Sequence, residues 1–270
     1  MACEEWSTGP RVVRTTADLQ LLQDPRVLWN LLAHEKRQMA ERVSRQYQQC
    51  EITVEMQKLL AYWLLEVCED QHCEEGVFPL ALSYVRMCLS LFPVEKRSLQ
   101  LLGTVCMLLA SKMRDVVPLK VETLAFYTAG SVLASQIREW EVFVLDQLHW
   151  DLAVLIAHDF VEQILERLLF SADRRALLSS HSRTYMSVCA LDRSLAAFSP
   201  SVIAAACIAT AVHRLGMHRH FEDDMIAYLA ALIQTDREEL QNCSSRIEPA
   251  LSEAAQTSVY QYCSGLPHAS

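Results

Sequence analysis

Apolar residues recur along this chain at three- and four-residue spacing, and no strand-like alternation competes with them. Asp24-Pro25 reads as a helix start, with Asp as cap and Pro in the first helical position. The helix that follows carries Val27, Leu28, Leu31 and Leu32 on one stripe and fades into the polar stretch from Arg45 to Glu51. A second helix is expected from about Thr53 to Cys68, with Met56, Leu59, Leu60, Trp63, Leu64 and Val67 in register. A third runs from about Val77 to Leu91 and ends near Pro93. The fourth, about Ser98 to Met113, is apolar almost all round (LQLLGTVCMLLASKM), and a helix without a polar face must be wrapped by its neighbours. After the break at Pro118, helices follow at about 120–127 and 134–148.

Beyond Trp150 the plan restarts, with helices at about 158–169, 173–191, 200–214, 222–234 and 236–255. The middle one, SPSVIAAACIATAVHRLG, is again apolar all round. Two groups of about five helices, each with a buried third member, imply an all-α fold of two tandem five-helix bundles behind an N-terminal helix. The expected division is a loose tail over 1–23, the N-terminal helix and linker over 24–50, bundles over 51–152 and 153–256, and a short tail over 257–270.

Composition narrows the functions open to such a fold. Only six Gly and eight Pro occur in 270 residues, poor material for a turn-rich β fold. The net charge of −9 argues against nucleic acid as a partner, which normally needs a basic face. The N-terminus MACEEWSTGP has no apolar core, and the longest mostly apolar run, Val202 to Val212, is too short to span a bilayer, so no membrane is expected. The ten cysteines form no C-x-x-C pair and read as reduced thiols in a nuclear or cytoplasmic protein. His213, His218 and His220 lie close together but at an expected helix end, and no metal is expected there. No glycine-rich phosphate loop and no Ser-His-Asp or Cys-His arrangement can be placed. No cofactor and no catalytic group are therefore expected.

The segments KLLAYWLLEVCEDQHCEEGVFPLALSY (58–84), LQLLGTVCMLLASKMRDVVPL (99–119) and EWEVFVLDQLHWDLAVLIAHDF (139–160) resemble the first cyclin box of D-type cyclins. SSHSRTYMSVCALD through SPSVIAAACIATAV resembles the second box less closely. The likeness implies two cyclin boxes and a non-catalytic regulatory subunit that binds and switches on a G1-class cyclin-dependent kinase. Retinoblastoma-family proteins would be its substrates. In that family a Lys in an ASK motif and a Glu one helix later anchor the kinase's mobile C-helix; the matching residues here are Lys112 and Glu141. On residues alone a structural ion pair capping a helix is the better account of the two, and it is the resemblance that turns the reading to an interface.

A second family site is a shallow patch that docks Arg-x-Leu peptides of substrates and inhibitors. It matches Met56, Leu59, Leu60 and Trp63, with Glu66 and Gln100 at the rim, although an apolar stripe at this spacing also suits a core. The family's L-x-C-x-E motif for retinoblastoma-type pocket proteins is matched by Met1, Cys3 and Glu5, with Met in place of Leu. The chain also departs from the family. Where most cyclins bury an Arg–Asp pair, this one has Gln57 and Arg86, so Arg86 must find another acceptor or reach solvent. It ends in TSVYQYCSGLPHAS without an acidic Thr-Pro tail, which resembles the compact homologues of some gammaherpesviruses. The rival reading is a cyclin-fold adaptor that binds transcription factors or other proteins and no kinase.

Overall fold

A computed structural model of the chain describes residues 18–44, 47–217 and 224–256, and every regular element among them is helical. Two helices lead, α1 (Leu19–Gln23) and α2 (Pro25–Ser44). Helical structure thus begins before residue 23, where a loose tail was expected. The Asp18 carboxylate accepts from the backbone N–H of Gln20, and the Arg167 guanidinium reaches the carbonyls of Leu22 and Asp24 at 3.5 and 3.2 Å. Both ends of this single turn therefore have partners. At the start of α2, Asp24 caps the N–H of Arg26 at 2.9 Å.

The first bundle comprises α3 (Val54–Asp70), α4 (Val77–Leu91), α5 (Leu99–Arg114), α6 (Val121–Tyr127) and α7 (Ala134–Gln147). Thr53 caps α3 by accepting from Met56 N at 3.3 Å. Helix α5 is the axis of this bundle: every residue from Leu101 to Ser111 is buried, against α3, α4, α6 and α7. Burying each large apolar side chain is worth about 1.5–3 kcal/mol, so a helix enclosed on all sides anchors the fold. Its Thr104 hydroxyl is satisfied locally by the Gln100 carbonyl at 2.8 Å. At its end, Lys112 and Arg114 stand where the helix dipole favours cations.

The second bundle comprises α8 (Val161–Leu165), α9 (Ala172–Leu191), α10 (Pro200–Arg214), α11 (Met225–Ile233) and α12 (Arg237–Gln256). Helix α10 repeats the role of α5, buried from Ser201 to Val212 at every position but Ile203. Its alanines let α9 and α12 approach closely. The expected helix at 158–169 is shorter and broken. A 3-10 turn over Ala157–Asp159 precedes α8, and after Leu165 the chain tightens into three-residue bonds, Arg167 N to Ile164 O and Leu168 N to Leu165 O.

Several polar contacts fix the bundles to each other. The Arg114 guanidinium grips Asp159 through two parallel bonds of 2.6 and 2.9 Å. Burial opposes the Arg114 charge, and the Asp159 carboxylate outweighs it, holding the guanidinium above its ordinary pKa. Arg183 of α9 pairs with Glu162 at 3.0 Å and reaches back to Glu75 of the first bundle at 3.5 Å. Tyr84 of α4 donates to the Leu152 carbonyl at 2.7 Å. Helix α2 serves as a brace. Its buried Glu35 accepts from both the N–H and the hydroxyl of Ser201 at the start of α10, at 2.7 and 2.6 Å. Gln38 bonds the connecting segment at Ala153 O and Leu155 N.

Six cysteines (68, 88, 106, 189, 207 and 243) are buried free thiols, and burial pushes the pKa values of Cys106 and Cys207 well up. Such thiols stay protonated and pack as small apolar groups. Cys3 and Cys263 lie outside the described residues. No helix among the described residues is long and apolar enough to cross a membrane.

Candidate functional site

The end of α5 and the middle of α7 bring Lys112 and Glu141 together. The ammonium and carboxylate form an ion pair, with the Lys side chain 46% exposed and the Glu side chain 16% exposed. The pair therefore sits at the surface with its acid partly sheltered. Exposed apolar residues flank it along the chain: Met113, Val116 and Val117 follow Lys112, and Val142 follows Glu141. Glu122 of α6 and Arg138 of α7 form a second ion pair nearby, since Arg138 lies one turn before Glu141 on the same helix face. Four exposed apolar side chains flanking one ion pair in sequence make a surface suited to being covered, with the charges providing orientation.

The stripe on α3 divides. Leu59 is 69% exposed and Leu60 is buried, while Met56 and Trp63 are half-buried and Glu66 is exposed. Leu60 lies over Gly103 of α5, where a Cβ would come within 2.6 Å of its Cδ1. The stripe is thus a surface ridge whose floor is part of the core. Gln100, half-buried at the start of α5, is held by a bond from the Ser131 hydroxyl at 2.8 Å. The reading of the sequence missed the adjoining cluster. Tyr127 donates its hydroxyl to Asp70 and accepts from the Gln71 amide at 2.7 Å. The signal was present in Asp70, one turn beyond Glu66 on the same face of α3.

Gln57 and Arg86 line one cleft on the opposite side of α3, as expected for helices that neighbour one another. The acceptor for Arg86 is the Ala190 carbonyl near the end of α9, at 2.6 Å. The altered pair has thus become a tie between the bundles. Met1, Cys3 and Glu5 lie outside the described residues, as do His218 and His220. No group of three or more metal-ligating side chains is found among the described residues.

Comparison with known proteins bears on the family of the chain. The family profile of the cyclin N-terminal domain matches residues 26–153, and that of the cyclin C-terminal domain matches 156–264. The chain is 45% identical to the G1/S-specific cyclin-D3 of Mus musculus over 269 residues, covering 100% of this chain and 91% of that protein. It is 47% identical to the G1/S-specific cyclin-D3 of Bos taurus over 262 residues, covering 96% and 89%. Among solved structures, a viral cyclin from herpesvirus saimiri superposes with a TM-score of 0.75 at 25% identity, over 85% of this chain and 98% of that one. Two domain profiles laid over the two bundles, with relatives that match the chain almost end to end, establish that this protein belongs to the cyclin family and groups with its D-type members.

Proposed function

We propose that the chain is a regulatory subunit that binds and allosterically activates a cyclin-dependent kinase of the G1 class. The observation that carries this reading is the Lys112–Glu141 pair, set at the surface of the first bundle and flanked along the chain by four exposed apolar side chains. An ion pair that served only to cap α5 would need no such apolar flank.

The mechanism needs no chemistry from this chain. A kinase without its activator holds its C-helix displaced, so the Lys–Glu pair that positions the ATP phosphates is not made. Lys112 would donate to carbonyls of the kinase, and Glu141 would hold the ammonium in place and accept from the kinase backbone. Apolar contact with Met113, Val116, Val117 and Val142 would exclude water around them. The chain favours the inward C-helix only by binding that state more tightly than the displaced one.

Substrate choice would fall to the α3 ridge. Leu59 and Trp63 offer an apolar ledge for the leucine of an Arg-x-Leu segment, and Glu66 offers a carboxylate to its arginine. Retinoblastoma-family substrates and Arg-x-Leu inhibitors are the proposed ligands there, with Met1, Cys3 and Glu5 as a second contact for pocket proteins. The proposed places of action are nucleus and cytoplasm. The test is to offer the purified chain a panel of monomeric cyclin-dependent kinases together with transcription-factor domains. The reading expects stable complexes with G1-class kinases. Capture of transcription factors and no kinase would support the adaptor reading instead.

A further inference from the structure

An open cleft of about 930 Å³ lies between the two bundles beside the end of α5. The first bundle contributes Glu74 and Glu75 ahead of α4, and Arg114 and Val116 at and just past the end of α5. The second bundle contributes His158, Glu162 and part of α9. Val116 also belongs to the apolar flank of Lys112, so the cleft is continuous with the surface proposed for the kinase.

The charges in this cleft do not cancel. Arg114 is held by Asp159, and Arg175 pairs with Glu166 at 3.0 Å. Arg183 stands between two carboxylates, Glu162 at 3.0 Å and Glu75 at 3.5 Å, and both of these side chains are about half exposed. Together with Glu74, five carboxylates line the cleft against three guanidinia. Two half-exposed carboxylates that share one guanidinium can accept charge-assisted hydrogen bonds from a second cation. A separate feature points the same way. His158 lines the cleft and is 6% exposed, yet neither ring nitrogen has a hydrogen-bond partner. A buried polar group left unpaired is costly. Burial and the neighbouring Arg183 and Arg114 keep the ring neutral, so one of its nitrogens retains a lone pair that can accept from a cationic N–H.

We propose that this cleft receives a lysine or arginine side chain of the bound kinase, held between Glu75 and Glu162 with His158 as a further acceptor. The proposal rests on the kinase reading and adds a second anchor to it. Lys112 and Glu141 engage the kinase on the first bundle alone, whereas a cation in the cleft touches both bundles and fixes the kinase relative to each.

The test puts a competing cation in the cleft and leaves its ion pairs intact. Ala176 of α9 is exposed and lines the cleft, and Lys and Gln have similar helix propensities there. Affinity for a purified, monomeric G1-class kinase is measured by calorimetric titration with the natural chain, Ala176→Lys and Ala176→Gln. Ala176→Lys should weaken binding at least about tenfold more than Ala176→Gln, and the difference should shrink as salt is raised from about 0.1 to about 1 M. If the two variants bind the kinase alike, whether both are weakened or neither is, no cation of the kinase enters the cleft and the proposal is overturned. The same holds if kinase affinity is alike and only phosphorylation of a basic substrate falls with Ala176→Lys, which would assign the cleft to the substrate. A natural chain that binds no kinase would bring down the kinase reading itself, and this proposal with it.

Discussion

At the scale of single residues, exposure separates what the charges can do. Lys112 is nearly half exposed, so its bond to Glu141 adds little to folding, about 0–1 kcal/mol as for surface pairs generally. Covered by a kinase, the same pair would lose its water, and removing one partner would then cost at least ~2 kcal/mol. Lys112→Glu or Glu141→Ala should therefore weaken kinase affinity at least thirtyfold while leaving the melting temperature almost unchanged, as calorimetric titration and thermal melts would show. The opposite pattern, a lower melting temperature with intact affinity, would make the pair a helix cap. His158 behaves differently. Both its ring nitrogens are buried without a hydrogen-bond partner among the described residues, and its pKa is lowered to about 3 by burial, with Arg183 and Arg114 adding repulsion. The folded state thus refuses a proton that the unfolded chain takes up near pH 6.5. Stability from this residue is complete above that pH and is lost as pH falls from 6.5 towards 3. His158→Leu should flatten the pH dependence of melting in that window, by up to about 1.4 kcal/mol per pH unit. A slope identical to the natural chain's would mean that His158 titrates normally.

At the scale of elements, the ridge on α3 depends on the helix beneath it. Gly103 lets Leu60 lie directly on α5. Gly103→Ala would turn Leu60 out of that seat, costing roughly 1–3 kcal/mol as other overpacked sites do. It should weaken docking of an Arg-x-Leu peptide while kinase affinity holds, because Lys112 lies more than two turns away along α5. Trp63→Ala gives the complementary experiment. Phosphorylation of substrates bearing the motif should fall, and peptides without it should be phosphorylated as before; equal losses would make Trp63 a core residue. These elements also show what was legible in the sequence. Helices α5 and α10 could be read because nothing polar interrupts them, and the spacing of Met56, Leu59, Leu60 and Trp63 defined the ridge. The partition of the ridge into exposed Leu59 and buried Leu60 could not be read, because it depends on a close approach to Gly103 some forty residues later in the chain. The Asp70–Tyr127 and Arg114–Asp159 contacts were hidden for the same reason: a charged residue's partner is set by the fold and leaves no local periodicity. The breakup of α8 escaped because three- and four-residue bonding share almost the same apolar spacing.

At the scale of the whole molecule, the two bundles are tied by contacts at separate places, among them Arg114 with Asp159 and Arg86 with the Ala190 carbonyl. Arg86→Asp would remove the second tie and place a carboxylate near that carbonyl, at a cost of about 1–3 kcal/mol. Adding Gln57→Arg should recover part of this by completing a new ion pair across α3 and α4, so a double-mutant cycle on melting stability should show coupling of about 1 kcal/mol. Simple additivity would mean that the two side chains do not meet in the cleft. The arrangement of the bundles matters because an activator without chemistry works only by presenting a fixed surface. The most direct test of the account is therefore activation itself. Purified chain is mixed with a monomeric, inactive G1-class cyclin-dependent kinase, and phosphorylation of a retinoblastoma fragment is followed over time. The account predicts a large rise in rate that saturates at one chain per kinase and is lost with Lys112→Glu. A chain that binds the kinase stoichiometrically and leaves its rate at the basal level would contradict it.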